Sequence, residues 1–315
     1  MRDSSRKISL VGLLQAAAIV TVVFSLFTGL DIPHYAIELF SHFRLQYFVA
    51  SLLLLGVFLY LGNRLYIGAL IIVAAFNASL VFPWYYAEED AARDTTIKLI
   101  HANVHSSNTE YQRLVDFIAL EQPDLFFLQE VNAAWVAGTQ GLLPDYPYSY
   151  IEAREGNFGI AAFSRIPFDS VGHVESPPLN YPTIFATLKT GKATVTLIST
   201  HPEIPVKPAL YAARNEQLSS IAALVTKTPG KLVLIGDFNA SIWDAKFREL
   251  ERATGLKNAR RGFGILPSWP TFMPFAMIPI DHALVSPDIS VMDVRTGNNI
   301  GSDHLPLIVT LSLPR

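Results

Sequence analysis

The chain has 315 residues, of which 50% are hydrophobic and 16% are charged, with a mean hydropathy of +0.31 and a formal net charge of −3. This composition is too apolar for an ordinary water-soluble protein. The absence of cysteine excludes disulfides and thiol catalysis. No basic run typical of nucleic-acid binding occurs, so the charge gives such a partner no support, although it does not exclude one.

Three apolar runs account for the excess, at Ile8–Leu30, Leu45–Leu61 and Leu65–Phe82. The first has 23 residues without a formal charge, which is enough to cross a bilayer as a helix. It is longer than the core of a signal peptide and no small-x-small cleavage site follows it, so we predict a retained span. The other two runs predict a tight transmembrane hairpin at Gly62-Asn63-Arg64. A helical pair buried in a soluble core is the alternative, which the lack of a polar face disfavours.

The distribution of Lys and Arg around the spans predicts their orientation. Four basic residues flank one side, namely Arg2, Arg6, Lys7 and Arg64, and the other side has Arg44 and Arg93 among several acidic residues. The N-terminus is therefore predicted to be cytoplasmic. Three spans then place the rest of the chain outside the cytoplasm, on the periplasmic or outer face of a multi-pass cell or inner membrane protein. Between the first two spans, residues 32–43 have the spacing of a short interfacial helix, with a plain loop as the alternative.

The domain boundaries follow from this pattern: a membrane anchor at 1–82, a polar linker at 83–96 and one globular domain at 97–315. Strand-like segments occur at 97–104, 124–131, 158–167, 195–202 and 232–236, the segments 280–286 and 305–313 close the domain, and helical patterns occur at 109–122 and 208–226. Helices alternate with some of the strands, which favours an α/β sandwich whose sheets are largely covered.

Polar side chains follow the predicted strands where several of them end. They are Asn103, Glu130, His201, Asp237, Asn239, Asp281 and the segment 301–306. Each one alone fits a solvated, capping or turn residue. Together they indicate a site, because ligands bind at the carboxyl ends of strands.

Asp237 and Asn239 raise a narrower question. If the strand at 232–236 continues through Asn239, both side chains point to the same face of the sheet. A turn is the alternative, because Asp, Asn and Ser are common where strands end.

The motifs "LQEV", "STH", "GDFN", "IDH" and "SDHLP" occur in this order between Ile97 and Leu313. In this order they resemble the endonuclease/exonuclease/phosphatase superfamily, which includes deoxyribonuclease-like enzymes, and in particular a membrane-anchored bacterial branch. The resemblance implies a four-layer α/β sandwich, two β-sheets between helices, here preceded by three transmembrane helices. It also implies a divalent-metal-dependent hydrolase of phosphate esters.

The resemblance implies a role for each motif residue. Glu130 is the principal metal ligand, Asn103 lies beside it and also binds substrate, and Asp303 assists the metal. The expected cofactor is Mg²⁺, which prefers oxygen ligands, with Mn²⁺ as the alternative. In the catalytic set, Asp237 aligns or deprotonates the attacking water and Asn239 holds the phosphate. His201 donates to a phosphate oxygen, His304 acts as a cation or acid/base, and Asp281 orients His304.

One position departs from the pattern of the superfamily. Some members have an acidic metal ligand two residues after the Asn of the first strand, and this sequence has His105 there. Imidazole suits Mn²⁺ or Zn²⁺ better than Mg²⁺. His105 therefore contacts substrate or is neutral and structural, and a second metal site is in doubt.

Two further segments each allow two interpretations. Arg214, in "RNEQ", is either a phosphate clamp or part of a surface ion pair. The Pro-rich apolar segment 266–282 is either a rigid loop packed on the core or a lip that meets acyl chains or the membrane.

Three functions fit the sequence. The first is a membrane-anchored extracytoplasmic phosphoesterase acting on a mono- or diester, with a lipid-linked phosphate or pyrophosphate as a candidate substrate and membrane lipids as partners. The second is an extracytoplasmic nuclease, and the third a non-catalytic membrane scaffold. The complete set of motifs disfavours the scaffold, and the spans with the apolar segment favour a lipid substrate. No obligate protein partner is evident.

Overall fold

A computed structural model describes residues 9–30, 32–86, 95–190 and 193–313. The chain divides into two compact units, Met1–Pro83 and Trp84–Arg315. The predicted start of the first span at Ile8 and the basic residues Arg2, Arg6, Lys7 and Arg93 lie outside the described residues. The acidic part of the predicted linker, at 87–94, also lies outside them.

The first unit is helical. Its helices are α1 (Leu10–Phe27), α2 (Tyr35–Ser41), α3 (Arg44–Leu61) and α4 (Arg64–Val81). Three helical segments, at Leu10–Leu30, Arg44–Leu61 and Arg64–Tyr85, are long and apolar enough to cross a membrane, which confirms the three predicted apolar helices. Gly62 ends α3 in the left-handed conformation, which glycine adopts at low cost, and so allows the tight hairpin.

Polar groups inside the first unit bond to one another. Asn77 Nδ2 donates to Ser25 Oγ at 2.6 Å, and Arg44 Nη1 donates to the Ser25 carbonyl at 2.7 Å. Interhelical hydrogen bonds of this kind hold apolar helices together where the surroundings offer no water. Arg44 is therefore buried among the helices. It is one of the two basic residues on the side of the spans that is predicted to lie outside the cytoplasm.

The second unit contains two sheets. Its strands are β1 (Thr95–Asn103), β2 (Leu125–Gln129), β3 (Tyr148–Glu152), β4 (Ile160–Ser164), β5 (Phe168–Ser176), β6 (Tyr181–Thr190), β7 (Ala193–Ser199), β8 (Lys231–Asp237), β9 (Lys257–Asn258), β10 (Asp281–Val285), β11 (Ser290–Thr296) and β12 (Leu307–Leu313). Its helices are α5 (Tyr111–Glu121), α6 (Ala133–Gly138), α7 (Pro208–Lys227) and α8 (Ala245–Thr254).

Each sheet has six strands, in the orders β11-β12-β1-β2-β4-β3 and β5-β6-β7-β8-β10-β9. The pairs β1–β2 and β7–β8 are parallel, and the other pairs are antiparallel. Helices flank the two sheets, so the predicted α/β sandwich is confirmed.

Alternation along the strands builds the core. In β1 and β2, Leu99 and Phe127 pack between the sheets, while Ile100 and Phe126 pack against α5 and α6. Successive side chains of a strand point to opposite faces, so one pattern fills both layers. The same alternation fixes which residues at the strand ends face the opposite sheet.

Candidate active site

The inner faces of three strands change from apolar to polar at the same edge of the sandwich. In β1 the inward series that includes Leu99 continues with His101 and Asn103, and in β8 Ile235 is followed by Asp237. In β2 the inward position after Phe127 is Gln129. The carboxyl ends of these strands therefore place polar groups in the space between the two sheets.

Asn103 joins the two sheets at this edge. Its Nδ2 donates to Glu130 Oε1 at 3.0 Å and to Asp237 Oδ2 at 3.2 Å, and its Oδ1 accepts from the backbone N–H of His105 at 3.0 Å. Glu130 directly follows β2 with a φ of 65°, a conformation uncommon for a residue with a side chain. The Ser106 backbone N–H donates to its Oε2 at 2.9 Å.

The surroundings of Glu130 fit a divalent cation. The carboxylate is buried, and within the described part of the chain no Lys or Arg side chain pairs with it. A buried carboxylate without a cationic partner is costly, and oxygen ligands suit Mg²⁺ or Mn²⁺. Glu130 could therefore hold a divalent cation, with Asn103 hydrogen-bonded beside it.

Asp303, the third predicted metal residue, is half-buried and lies beside an aromatic ring. Its Oδ2 accepts from Trp269 Nε1 at 3.0 Å, and its Oδ1 lies 3.6 Å from His105 Nδ1. The structure thus places His105 next to Asp303, with a half-exposed side chain and a φ of 59°. This pair lines the outside of the cluster.

A chain of three side chains runs behind the site. His101 Nε2 lies 2.8 Å from Asp281 Oδ1, and His304 Nδ1 lies 2.9 Å from Asp281 Oδ2. Burial alone would raise the pKa of Asp281, but His304 and His101 hold it far below the usual range. Burial also disfavours the imidazolium of His304, yet Asp281 and then Asp237 outweigh it and raise the pKa of His304 to about 10. At neutral pH His304 is therefore a cation.

Asp237 lies where the other groups meet. Its Oδ2 is 3.6 Å from His304 Nε2 and 3.5 Å from His201 Nε2, in addition to the contact with Asn103. Burial raises the pKa of Asp237, His304 opposes the shift, and the Asp281 carboxylate adds to it. A carboxylate with a raised pKa is a stronger base, which suits a residue that accepts a proton from water.

Asp237 and Asn239 are joined by a turn and do not lie on one continuous strand. Strand β8 ends at Asp237, and Asn239 has a φ of 48°, so the strand does not continue through Asn239. The Asn239 backbone N–H donates to Asp237 Oδ1 at 2.9 Å, and its Nδ2 donates to the Pro202 carbonyl at 3.0 Å. Asn tolerates the left-handed conformation, which explains the residue type. The turn, not strand alternation, brings Asn239 beside Asp237.

Buried side chains donate hydrogen bonds to the backbone carbonyls of this turn. Arg214 Nη1 donates to the Asn239 carbonyl at 3.2 Å, and its Nη2 lies 3.4 Å from Asp244 Oδ2. Arg214 is fully buried, so both interpretations from the sequence are wrong: it is neither in a surface ion pair nor open to a phosphate. Burial and then Arg260 lower the pKa of His282 to about 3, and its neutral ring donates from Nε2 to the Ala240 carbonyl at 2.8 Å.

Two residues of the site were missing from the sequence-based set. His101 contacts Asp281, as described above. Gln129 accepts from the Asp237 N–H at 3.0 Å through Oε1 and donates to the Thr200 carbonyl at 2.7 Å through Nε2. Both occupy the inward positions of β1 and β2, so the period of two from Leu99 and from Phe127 was the signal that could have found them.

The comparison with protein families agrees with this geometry. The family model described as "Endonuclease/Exonuclease/phosphatase family" matches residues 100–304, which include the site residues from Asn103 to His304 described above. The chain belongs to this family. Within it, the buried acidic and histidine groups identify the chain as a metal-dependent hydrolase of phosphate ester bonds. No curated protein matches the sequence.

Solved structures share the fold at low identity. A humanized D. rerio TDP2 with 14 mutations has a TM-score of 0.61 and 17% identity, over 70% of this chain and 100% of that one. An endonuclease/exonuclease/phosphatase from Beutenbergia cavernae DSM 12333 has a TM-score of 0.56 and 19% identity, over 70% and 72%. Sphingomyelinase C from Streptomyces griseocarneus has a TM-score of 0.53 and 17% identity, over 69% and 99%. These likenesses support the fold.

Proposed function

We propose that the chain is a membrane-anchored, Mg²⁺-dependent phosphoesterase that hydrolyses a lipid-linked phosphate or pyrophosphate on the extracytoplasmic face of the membrane. The observation that supports a lipid substrate is the loop at 266–280, which has no charged side chain and is hydrogen-bonded to residues next to the site. Thr271 Oγ1 donates to the Ser302 carbonyl at 2.9 Å, and the Thr271 N–H donates to the Asp303 carbonyl at 2.9 Å.

This loop is only partly the exposed lip suggested by the sequence. Phe272, Met273 and Phe275 are exposed, Met277 is half-buried and Ile278 is buried. The apolar side chains next to the site are thus divided between the core and the solvent. Exposed apolar patches often mark interaction surfaces, and an acyl or prenyl chain is the matching part of a substrate.

The residues of the site would share the chemistry of hydrolysis. A divalent cation held by Glu130 and Asn103, with Asp303 nearby, supplies positive charge to the phosphoryl oxygens when bound. Asp237 is placed to take a proton from a water that attacks phosphorus, as the P–O bond to the leaving group breaks. Protonated His304 would donate to the phosphoryl oxygens, and an N–H of the His201 ring and the second N–H of the Asn239 amide would do the same.

The metal is tested on the full chain in detergent. Glu130→Gln is expected to weaken the apparent affinity for Mg²⁺ at least tenfold, because it removes the one charged ligand beside Asn103, and EDTA should abolish turnover. Glu216→Gln, on the exposed side of α7, is the matched control. Full activity in EDTA would contradict a metal-dependent reaction, and higher activity in Mn²⁺ than in Mg²⁺ would assign the other cation.

The substrate is tested by comparing a long-chain lipid phosphate, its short-chain soluble analogue and single-stranded DNA. The triple variant Phe272→Ser, Phe275→Ser, Met277→Ser should raise KM for the lipid more than for the soluble ester. General damage to the site would depress both activities alike, so the ratio isolates the loop. Equal losses accompanied by a lower melting temperature would identify the loop as core, and preferred cleavage of DNA would favour the nuclease.

The orientation is tested with fusions at the C-terminus. Alkaline phosphatase fused there should be active and a cytoplasmic fluorescent protein should be dark, because the basic residues favour a cytoplasmic N-terminus and three spans follow it. The reverse pattern would place the catalytic residues in the cytoplasm.

A further inference from the structure

The described surface of the second unit has its exposed apolar side chains concentrated at one edge. Six of its twelve exposed large hydrophobic residues occupy loops at this edge: Leu179, Ile204, Val206, Phe272, Met273 and Phe275. We call these six residues the apolar rim. Phe272 and Phe275 are the most open of them, with 71% and 80% of their surface exposed.

The sheet topology places the rim on both sides of the candidate site. Leu179 lies in the turn between β5 and β6, Ile204 and Val206 follow β7, and the Phe272 loop precedes β10. In the order β5-β6-β7-β8-β10, all three segments lie at the edge where β8 ends at Asp237. Strands are about 4.8 Å apart, so the rim extends roughly 15–20 Å along this edge with Asp237 between its two parts.

The structure also accounts for why these side chains stay exposed. The Phe272 loop is bonded at both ends, since Trp269 and Ile278 form a β-bridge and Thr271 is bonded to residues 302 and 303. Three prolines, at 270, 274 and 279, prevent a regular helix that could turn the rings inward. The hydrogen-bonded loop therefore holds the rings of Phe272 and Phe275 on the outside.

We propose that the apolar rim contacts the surface of the lipid bilayer, so that the site opens toward headgroup phosphates. This inference rests on the proposed membrane anchoring. Residues 82–94 separate the end of α4 at Val81 from the start of β1 at Thr95, and a chain of this length spans no more than about 45 Å, so a membrane that holds α4 keeps the rim from diffusing away. Exposed Phe and Leu side chains enter the membrane interface, and the exposed Lys207 next to Val206 suits anionic headgroups.

The absence of cysteine allows a direct test on the full chain. Phe275→Cys, labelled with the environment-sensitive fluorophore NBD, is reconstituted in vesicles of phosphatidylcholine and phosphatidylglycerol. The control is Leu120→Cys on α5, because Leu120 is 71% exposed, close to the 80% of Phe275, but is remote from the strand ends that carry the site. We expect a blue shift and at least twofold stronger quenching by brominated lipid at position 275, with little quenching at position 120.

Equal, weak quenching at both positions would overturn the proposal. Shielding of position 275 that depends on protein concentration, without quenching by brominated lipid, would assign the rim to a second copy of the chain and overturn it as well. Strong quenching at position 275 supports bilayer contact whichever substrate is cleaved. The assay with lipid phosphate, soluble ester and DNA separately decides the proposed substrate, so the two failures are distinguishable.

Discussion

Asp281→Asn is the substitution that best tests how the site controls charge. The carboxylate lies 2.8 Å from His101 Nε2 and 2.9 Å from His304 Nδ1, and it is the main group that raises the pKa of His304 to about 10. The interval from 6.5 to about 10 corresponds to roughly 5 kcal/mol of preference for the imidazolium form. Asparagine keeps the shape of the side chain and removes its charge. The pKa of His304 should therefore fall toward its ordinary value of 6.5, with Asp237 left as its main anionic partner.

The assay is the pH dependence of kcat/KM for a soluble phosphate ester, measured for the variant and for the unmodified chain at saturating Mg²⁺. At pH 6 the variant should retain most of the cationic His304 and lose little activity. At pH 8.5 its activity should be reduced by up to about 10²-fold, which is the lower end of the usual contribution of one positioned acid or base. The ratio of variant to unmodified activity should therefore fall steadily as the pH rises.

Using the ratio removes effects of pH on the metal and on the substrate, because they are common to both proteins. Asp288→Asn is the control, since Asp288 is exposed and pairs only loosely with Lys231 at 3.8 Å. Thermal unfolding checks that the variant is folded. A ratio that stays constant from pH 6 to 9 would show that Asp281 acts by shape alone and would refute a charge-holding role.

Three other outcomes follow from buried charges. Arg214→Met should lower the free energy of unfolding by about 3–5 kcal/mol, because it leaves the buried Asp244 without this partner. Adding Asp244→Asn should recover part of the loss. If the losses of the two substitutions simply add, Arg214 and Asp244 do not stabilise the fold as a pair. The raised pKa of His304 stabilises the fold fully below pH 6.5 and progressively less up to about pH 10. The melting temperature of the unmodified chain should therefore fall between pH 6.5 and about pH 10, and that of His304→Gln should fall less. Because burial raises the pKa of Asp237, Mg²⁺ binding should release more protons as the pH is lowered, seen as a buffer-dependent enthalpy in calorimetry that Asp237→Asn removes. An equal enthalpy in all buffers would contradict this.

Much of the fold could be predicted because its signals are local. Runs of apolar residues set the three apolar helices, and the predicted helix at 208–226 is observed as Pro208–Lys227. The sandwich was predictable because alternating strands and helices have few stable arrangements. The residues proposed for the site lie together because they share one structural position, the carboxyl ends of β1, β2, β7 and β8 or the segments facing them.

The supporting contacts could not be predicted because they join distant parts of the chain. Arg214 bonds to a carbonyl 25 residues away, and Gln129 bonds to an amide 108 residues away. Neither partner is implied by the local pattern, and a helical Arg looks solvent-facing until α7 is placed against the turn at Asn239. The alternation argument failed at Asn239 for a related reason, since a turn that bonds its own backbone to Asp237 ends the strand early.

The charges of the site argue for a divalent cation independently of the family. When Glu130, Asp237 and Asp281 are ionised they carry three negative charges, and the imidazolium of His304 and the buried guanidinium of Arg260 offset two, which leaves one negative charge in a buried space. Burial is the main cause of the raised pKa of Asp237, and repulsion by the Asp281 carboxylate adds to it. Glu130 would hold a divalent cation there, and the added positive charge would favour the ionised form of Asp237, which is the form that accepts a proton from water. An anionic phosphate can then enter a site that would otherwise repel it.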